Sequence, residues 1–359
     1  MPYLEINLEK IQHNLRVIKK KFEAKNVSIC AVTKVTLGNP TIAKLLVKEG
    51  ITYLGDSRIE NIIRMHEAGV NAKFVLIRNP SLSKIPLIVK YADISLNSEI
   101  ATIEKLSKES LFQRKKHGVI LMVEMGDLRE GIMPEDLEDL VEKVLELKGV
   151  ELMGLGTNLK CFAGILPDEK NMKEFSDIAE NIQDKFGLKL KFISGGNSAN
   201  YNWLMSSNDI GVINNLRIGT AILLGREGIH ESIIPDLYHD AFVFVAEIVE
   251  LKDKPLYPKG LQDNATNAFG EPSIFTNLNK FIDSEGKRTQ ALLNAGRQDV
   301  NEKALIPRDN IEIMSASSDY LIVDLKNTNF KVGDLLSFTV NYEALLSAMT
   351  SPFISKIFK

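Results

Sequence analysis

In Val27 to Val35, VSICAVTKV, a run of strand-forming, mostly apolar residues, small and β-branched types alternating, ends in a lysine. That pattern reads as a strand of a parallel sheet, buried on both faces, which places Lys34 at its carboxyl end. Parallel α/β sheets collect their functional groups at that end. An amine held under a low-dielectric mouth has its ammonium form disfavoured, and the neutral amine attacks an aldehyde carbon. Lys34 is therefore the candidate Schiff-base lysine. The plainer alternative is a surface lysine marking the end of a strand.

Four later stretches carry residue types that suit an anionic ligand beside such a lysine. In FISGGNSAN (192–200) two glycines follow an apolar run and lead into Asn-Ser, so free amides and the Ser198 hydroxyl form a candidate phosphate cradle. NNLRIGTAILLG, ending at Gly225, supplies Arg217, then Gly219 and Thr220, whose amides are placed to reach the same phosphate. Two such loops from adjacent strands match the usual phosphate site of a barrel. MGDLREG (125–131) supplies Arg129, with Asp127 and Glu130 offering an ordinary salt-bridged loop as the alternative. TNLKCFAG (157–164) brings Asn158, Lys160 and Cys161. No histidine neighbours Cys161 to activate it, so packing near the site is the simpler role. The five histidines and two cysteines show no zinc spacing, and no metal site is expected.

These groups need a scaffold. Leu8, Ile11, Leu15, Ile18 and Phe22 recur at helical spacing after a short opening strand. From Val27 onward, strand and helix patterns alternate. The strand candidates are 27–34, 52–56, 73–78, 93–97, 118–125, 150–158, 189–196 and 211–219, with helices such as Pro40 to Glu49, Arg58 to Ala68, Glu135 to Leu147 and Asp168 to Phe186 between them. Eight units favour a closed parallel (β/α)8, TIM-like barrel over a doubly wound open sheet. After about residue 230 the pattern changes to AFVFVAEIVEL, QALLNAG, DYLIVDL and DLLSFTVNY, separated by turn-rich KDKPLYPKG and NATNAFGEPS. Strands without intervening helices predict a mostly β domain. The expected division is a barrel over 1–232 and a β domain over 233–359, with residues 1–8, through the opening strand, available to pair with the latter.

The chain has 359 residues, 44% of them hydrophobic, and a formal net charge of -3. That is ample material for two cores, and no long basic block points to nucleic acid or acidic membranes. The two cysteines, Cys30 and Cys161, and the lack of a long apolar run suggest a reduced, cytoplasmic protein acting on small molecules.

Taken in order, AVTKV, MGDLREG, GTNLKCFAG, SGGNSAN and NNLRIGTAILLG resemble the alanine racemase N-terminal-domain family. The resemblance continues through SASSDYLIVDL, VGDLLSF and NYEALLSAMTSPF, so it spans nearly the whole chain. Within that family GDSRIEN (55–61), NAGRQDV (294–300) and AMTSP are most similar to the ornithine racemase branch and its broad-specificity relatives. The resemblance implies pyridoxal 5′-phosphate (PLP) held by Lys34, a barrel joined to a β domain, and a homodimer whose partner completes each site. It places Arg217 on the pyridine nitrogen, Ser198, Gly219, Thr220 and Tyr342 at phosphate positions, and Arg129 near the phenolic oxygen.

It further implies racemisation by two bases, one of them Lys34. The second falls on Tyr257 in KPLYPKG, with Asp319 and Cys161 as alternatives. Asn158 stands where alanine racemases stack a histidine on the cofactor, and Leu37 replaces an expected tyrosine, which argues against strict alanine specificity. A substrate with a distal amine needs an acidic partner, and Asp299 or Asp319 is of the right type. The expected substrate contacts are thus Arg129, Cys161, Asp299 and Asp319, and the expected substrate is ornithine or lysine, with alanine or serine also admitted. Two rivals share the barrel: the non-catalytic PLP-homeostasis proteins, which lack a β domain, and the PLP-dependent D-amino-acid aldolases, which use a divalent metal.

Overall fold

A computed structural model describes residues 1–258, 266, 269–271, 286–326 and 328–359. Most of NATNAFGEPS and the last two residues of KDKPLYPKG lie outside the described residues. The chain divides into two compact units, Leu8–His239 and Met1–Asn7 together with Asp240–Lys359, where the sequence placed the boundary at 232/233.

In the first unit eight parallel strands close into a barrel: β2 (Ser28–Val32), β3 (Tyr53–Asp56), β4 (Lys73–Leu76), β5 (Ile94–Asn97), β6 (His117–Met122), β7 (Val150–Gly156), β8 (Phe192–Ser194) and β9 (Asn215–Ile218). The seam between β9 and β2 is set by Cys30 opposite Arg217 and Ala31 opposite Ile218. Inside, Cys30, Val75, Ile94, Leu96, Ile120, Met122 and Phe192 form a buried cluster, and the Tyr53 ring meets Phe192 edge-on at 5.0 Å. Burying a large apolar side chain of this kind contributes roughly 1.5–3 kcal/mol, so the interior is a packed plug rather than a channel.

Helices α1 (Leu8–Glu23), α2 (Pro40–Lys48), α3 (Ile59–Glu67), α4 (Ile85–Tyr91), α5 (Ile100–Phe112), α6 (Leu137–Leu145), α7 (Glu169–Phe186), α8 (Tyr201–Ser206) and α9 (Thr220–Leu224) accompany these strands. Their starts follow local chemistry. Asn39 caps α2 by accepting from the Thr41 and Ile42 amides, with Pro40 in the first turn, and Asp168 and Asn171 form a reciprocal capping box on α7.

Several strands are shorter than their apolar runs. The first ends at Val32, because Thr33 (φ −95°, ψ 0°) leaves the extended region and Lys34–Thr36 form a 3-10 turn. The run 189–196 yields only Phe192–Ser194. Gly196 turns away with φ +143°, and a Cβ there would lie 2.0 Å from Asn200 Oδ1.

The second unit is a sheet ordered β12 (Leu305–Pro307), β15 (Leu335–Val340), β10 (Phe242–Pro255), β11 (Lys287–Leu293), β14 (Leu321–Asp324), β13 (Glu312–Ala316). The opening strand β1 (Tyr3–Ile6) pairs antiparallel with β10 and parallel with β16 (Ser355–Phe358). The last helix, α10 (Tyr342–Thr350), is capped by Asn341. Among the described residues no helix is long and apolar enough to cross a membrane.

Candidate active site

Lys34 opens the turn that follows β2 and is half-buried. One strand away, at the end of β9, Arg217 is buried and its fork is satisfied by the barrel itself. Nη1 donates to Ser194 Oγ at 2.7 Å, and Nη2 donates to the Thr157 carbonyl at 2.7 Å and to Asn158 Oδ1 at 3.4 Å. Burial pushes the guanidinium down to about 10, opposed by the nearby Cys30 and Cys161 thiols and by Glu130. It therefore remains a cation at neutral pH. Ser194 passes the chain on, donating to Asn215 Oδ1 at 2.9 Å. A fixed positive charge with a rigid direction is the result.

Beside it the loops after β7, β8 and β9 interlock. Asn197 Nδ2 donates to Asn158 Oδ1 at 2.9 Å and to the Leu159 carbonyl at 3.2 Å, and lies 3.7 Å from Cys161 Sγ. The Gly219 amide donates to Ser198 Oγ at 3.2 Å, which ties the two expected phosphate loops together. The Ser198 carbonyl in turn accepts from Gly228 at 3.2 Å, an approach that leaves no room for a side chain: a Cβ on Gly228 would sit 2.5 Å from the Ala199 nitrogen. Thr220 follows, half-buried, as the first residue of α9.

The loop 125–131 is closed at its base by the Val123–Ile132 bridge and is tied to the next loop by Asp127. Its buried carboxylate accepts from the Cys161, Phe162 and Ala163 amides at 3.1–3.2 Å. Arg129 forms a two-pronged pair with Glu130, whose hydrogen bonds hold the guanidinium above its ordinary range. Cys161 is a free, exposed thiol in the same neighbourhood.

A cofactor with ring and phosphate fits these residues on structural grounds. Buried polar atoms normally find partners, yet Thr157 Oγ1 and Asn158 Nδ2 have none and lie next to the Arg217 fork. The glycine approach at Gly228 and the Ser198–Gly219 contact meanwhile hold a compact polar cradle on the adjacent strand ends.

The remaining expected site residues lie in the β-rich unit. Asp299 is buried and one carboxylate oxygen accepts from the Gly296 amide at 3.0 Å, so it closes a turn. Asp319 is exposed and accepts from Gln298 Nε2 at 3.0 Å. Tyr257 is half-buried two residues past β10, and Tyr342 is the first residue of α10. The structure thus gathers Lys34, Arg129, Asn158, Cys161, Ser198, Arg217, Gly219 and Thr220 in one unit and Tyr257, Asp299, Asp319 and Tyr342 in the other.

Sequence reasoning gave no role to Ser194, Thr157, Asn197 or Asp56, and read Asp127 only as part of a salt-bridged loop, whereas it ties that loop to the next. Each is a polar residue at or just past a strand end of the barrel, and that position was the available signal.

A family model described as the alanine racemase N-terminal domain matches residues 6–227. An ornithine racemase from Acetoanaerobium sticklandii is 37% identical over 360 residues, covering 99% of this chain and 99% of that protein. A lysine racemase from Thermotoga maritima is 36% identical, covering 100% of this chain and 98% of that protein. Among solved structures, alanine racemase from Bartonella henselae with covalently bound pyridoxal phosphate superposes with a TM-score of 0.73 at 16% identity, covering 100% of this chain and 99% of that one. With the profile spanning most of the barrel unit and two relatives matched end to end, the chain belongs to the alanine racemase N-terminal-domain family.

Proposed function

We propose that this amino-acid racemase uses PLP carried on Lys34 to interconvert the L and D forms of ornithine or lysine, as a cytoplasmic homodimer with shared sites. The observation that carries the reading is the arrangement at the ends of β2, β8 and β9: a half-buried lysine, a buried arginine fork and a serine–glycine cradle on neighbouring strands. PLP, when bound, conjugates with the substrate amine and draws electron density from Cα, so that the Cα proton becomes removable.

The protein's own residues do the rest. Lys34 holds the cofactor, and its amine, once released, removes and returns the proton on one face of Cα. Arg217 would face the ring nitrogen; as a permanent donor it would keep that nitrogen unprotonated and restrain the electron sink, which would favour reversible proton exchange over transamination. Ser198, Gly219 and Thr220 would hold the phosphate, and Tyr342 is assigned to it from the family resemblance. Arg129 would lie by the phenolic oxygen and the substrate carboxylate, and Asn158 would lie beside the ring. Inversion requires a second base, assigned to Tyr257 of the β-rich unit, with Asp319 and Cys161 as alternatives.

Ornithine or lysine is supported by the two end-to-end relatives, by Asn158 and Leu37 standing in place of alanine-racemase residues, and by the carboxylates available for a distal ammonium. Of these, Asp319 is the exposed one, whereas Asp299 already serves a turn.

The test is the visible spectrum of the wild-type protein and of Lys34→Ala, followed by incubation of each with single L-amino acids in D2O. The expected result is a cofactor band lost in the variant, with Cα deuteration and appearance of the D form for ornithine or lysine. A bound cofactor with no Cα exchange on any amino acid defeats the reading.

A further inference from the structure

Asp56 ends β3 with no exposed surface, and nothing above gives it a task. Its two oxygens are fully engaged. Oδ2 accepts from Thr33 Oγ1 at 2.8 Å, while Oδ1 accepts from the Arg58 amide at 3.0 Å and from Asn61 Nδ2 at 2.9 Å. Thr33 immediately precedes Lys34, and its carbonyl organises the turn that carries the lysine. That carbonyl accepts from the Thr36 and Gly38 amides at 3.0 and 3.2 Å and from Thr36 Oγ1 at 2.9 Å.

Burial pushes the Asp56 carboxyl up from its ordinary value; Asn61, the Arg58 amide, Thr33 and the charge of Lys34 all oppose that shift. The other cations nearby are Arg58, whose side chain is exposed, and Arg64, which bonds to the Leu37 carbonyl and to Asn61 Oδ1. A carboxylate taken out of water costs several kcal/mol unless its bonds and its charge are both used. Here the bonds hold the turn that carries the lysine.

We propose that Asp56 is the positioning residue of Lys34: through Thr33 it fixes the turn that carries the lysine. The inference rests on the reading of Lys34 as the cofactor lysine, but its test does not need catalysis. Cofactor-free full-length protein is treated briefly with acetic anhydride near neutral pH, and acetylation of Lys34 is followed by peptide mass spectrometry. Asp56→Asn turns one of the two acceptor oxygens into a donor, so part of the bonding to Thr33, Arg58 and Asn61 is lost and the Lys34 acetylation rate is expected to change by at least about threefold.

Thr33→Val keeps the charge and removes the tie. Its Lys34 acetylation rate should change in the same direction as in Asp56→Asn, while hydrogen exchange at the Thr36 and Gly38 amides rises at least about tenfold. Unchanged acetylation in the first variant, or unchanged exchange in the second, overturns the proposal. Circular dichroism and the thermal midpoint report whether each variant folds; should Asp56→Asn not fold, Thr33→Val decides alone. A cofactor band that survives in Lys34→Ala would defeat the parent reading of Lys34, and the acetylation result would still decide the Asp56–Lys34 link.

Discussion

Cys30 and Arg217 are register partners across the β2–β9 seam, so a buried thiol and a buried guanidinium sit side by side at the point where the barrel closes. Burial pushes the Cys30 thiol up to about 12, with Arg217 opposing the shift, so Cys30 carries almost no thiolate at neutral pH. Cys161 is exposed. Iodoacetamide applied to the folded protein should therefore modify one thiol per chain, at Cys161, and the second only after unfolding. Two thiols reacting at similar rates would contradict the burial of Cys30.

The Arg217 fork addresses Ser194 and Thr157 with separate nitrogens, a geometry that a lysine's single ammonium cannot reproduce. Arg217→Lys should lower kcat by about a hundredfold, the equivalent of roughly 2.7 kcal/mol. Cofactor binding should survive, because the phosphate loops are untouched. Equal kcat in the two proteins would show that charge alone suffices.

Gly228 offers a test of the phosphate cradle that touches no reacting group. A methyl at that position would meet the Ala199 nitrogen at 2.5 Å and the Ser198 carbonyl carbon at 2.8 Å, both backbone atoms that yield only if the loop moves. Gly228→Ala should weaken PLP affinity by about tenfold or more, measured by absorbance titration of the cofactor-free protein. Ser198→Ala removes the acceptor of the Gly219 amide and should act in the same direction. Unaltered affinity in both variants would take the phosphate away from these loops.

The residues legible in the sequence were those whose type and place are informative without a partner. Lys34 ends a strand-forming run, Arg217 stands at the end of the eighth, and Ser198 lies just past a pair of glycines. The strands were legible because burial on both faces leaves short, mostly apolar segments that recur between helical patterns. Their ends were not, because Thr33 leaves the strand at a turn that Asp56, more than twenty residues away, holds in place. Ser194, Thr157 and Asn197 draw their roles from bonds to Arg217 and Asn158 across loops, so no local pattern announces them. In the β-rich unit the three-residue β12 and the irregular β13 fell below the length at which alternation shows.

On the proposed reading, substrate choice is decided at the distal amine. If Asp319 receives it, Asp319→Asn should raise KM for ornithine about tenfold to a hundredfold and leave norvaline, which has the same chain without the amine, nearly unchanged. The same change in Asp299 should lower stability instead, since its carboxylate closes the Gly296 turn from a buried position. Equal turnover of ornithine and norvaline by the wild-type enzyme would sink the carboxylate assignment altogether.

Acid stability should turn on His117, at the start of β6 and almost wholly buried. Its Nε2 lies 2.8 Å from Ser95 Oγ, and burial depresses the imidazole to about 4 from its usual 6.5 despite the bond to the Ala92 backbone. Between those two values the unfolded chain binds a proton that the folded chain refuses, so stability rises with pH across the window. The neutral ring's contribution is fully present above about 6.5, falls away as the pH drops toward about 4, and changes no further below that. The total loss is of order 3 kcal/mol. In urea melts at a series of pH values, His117→Gln should be less stable near neutral pH but lose less stability between pH 6.5 and 4 than the wild type. Parallel curves for the two proteins would mean that the acid sensitivity arises from another group.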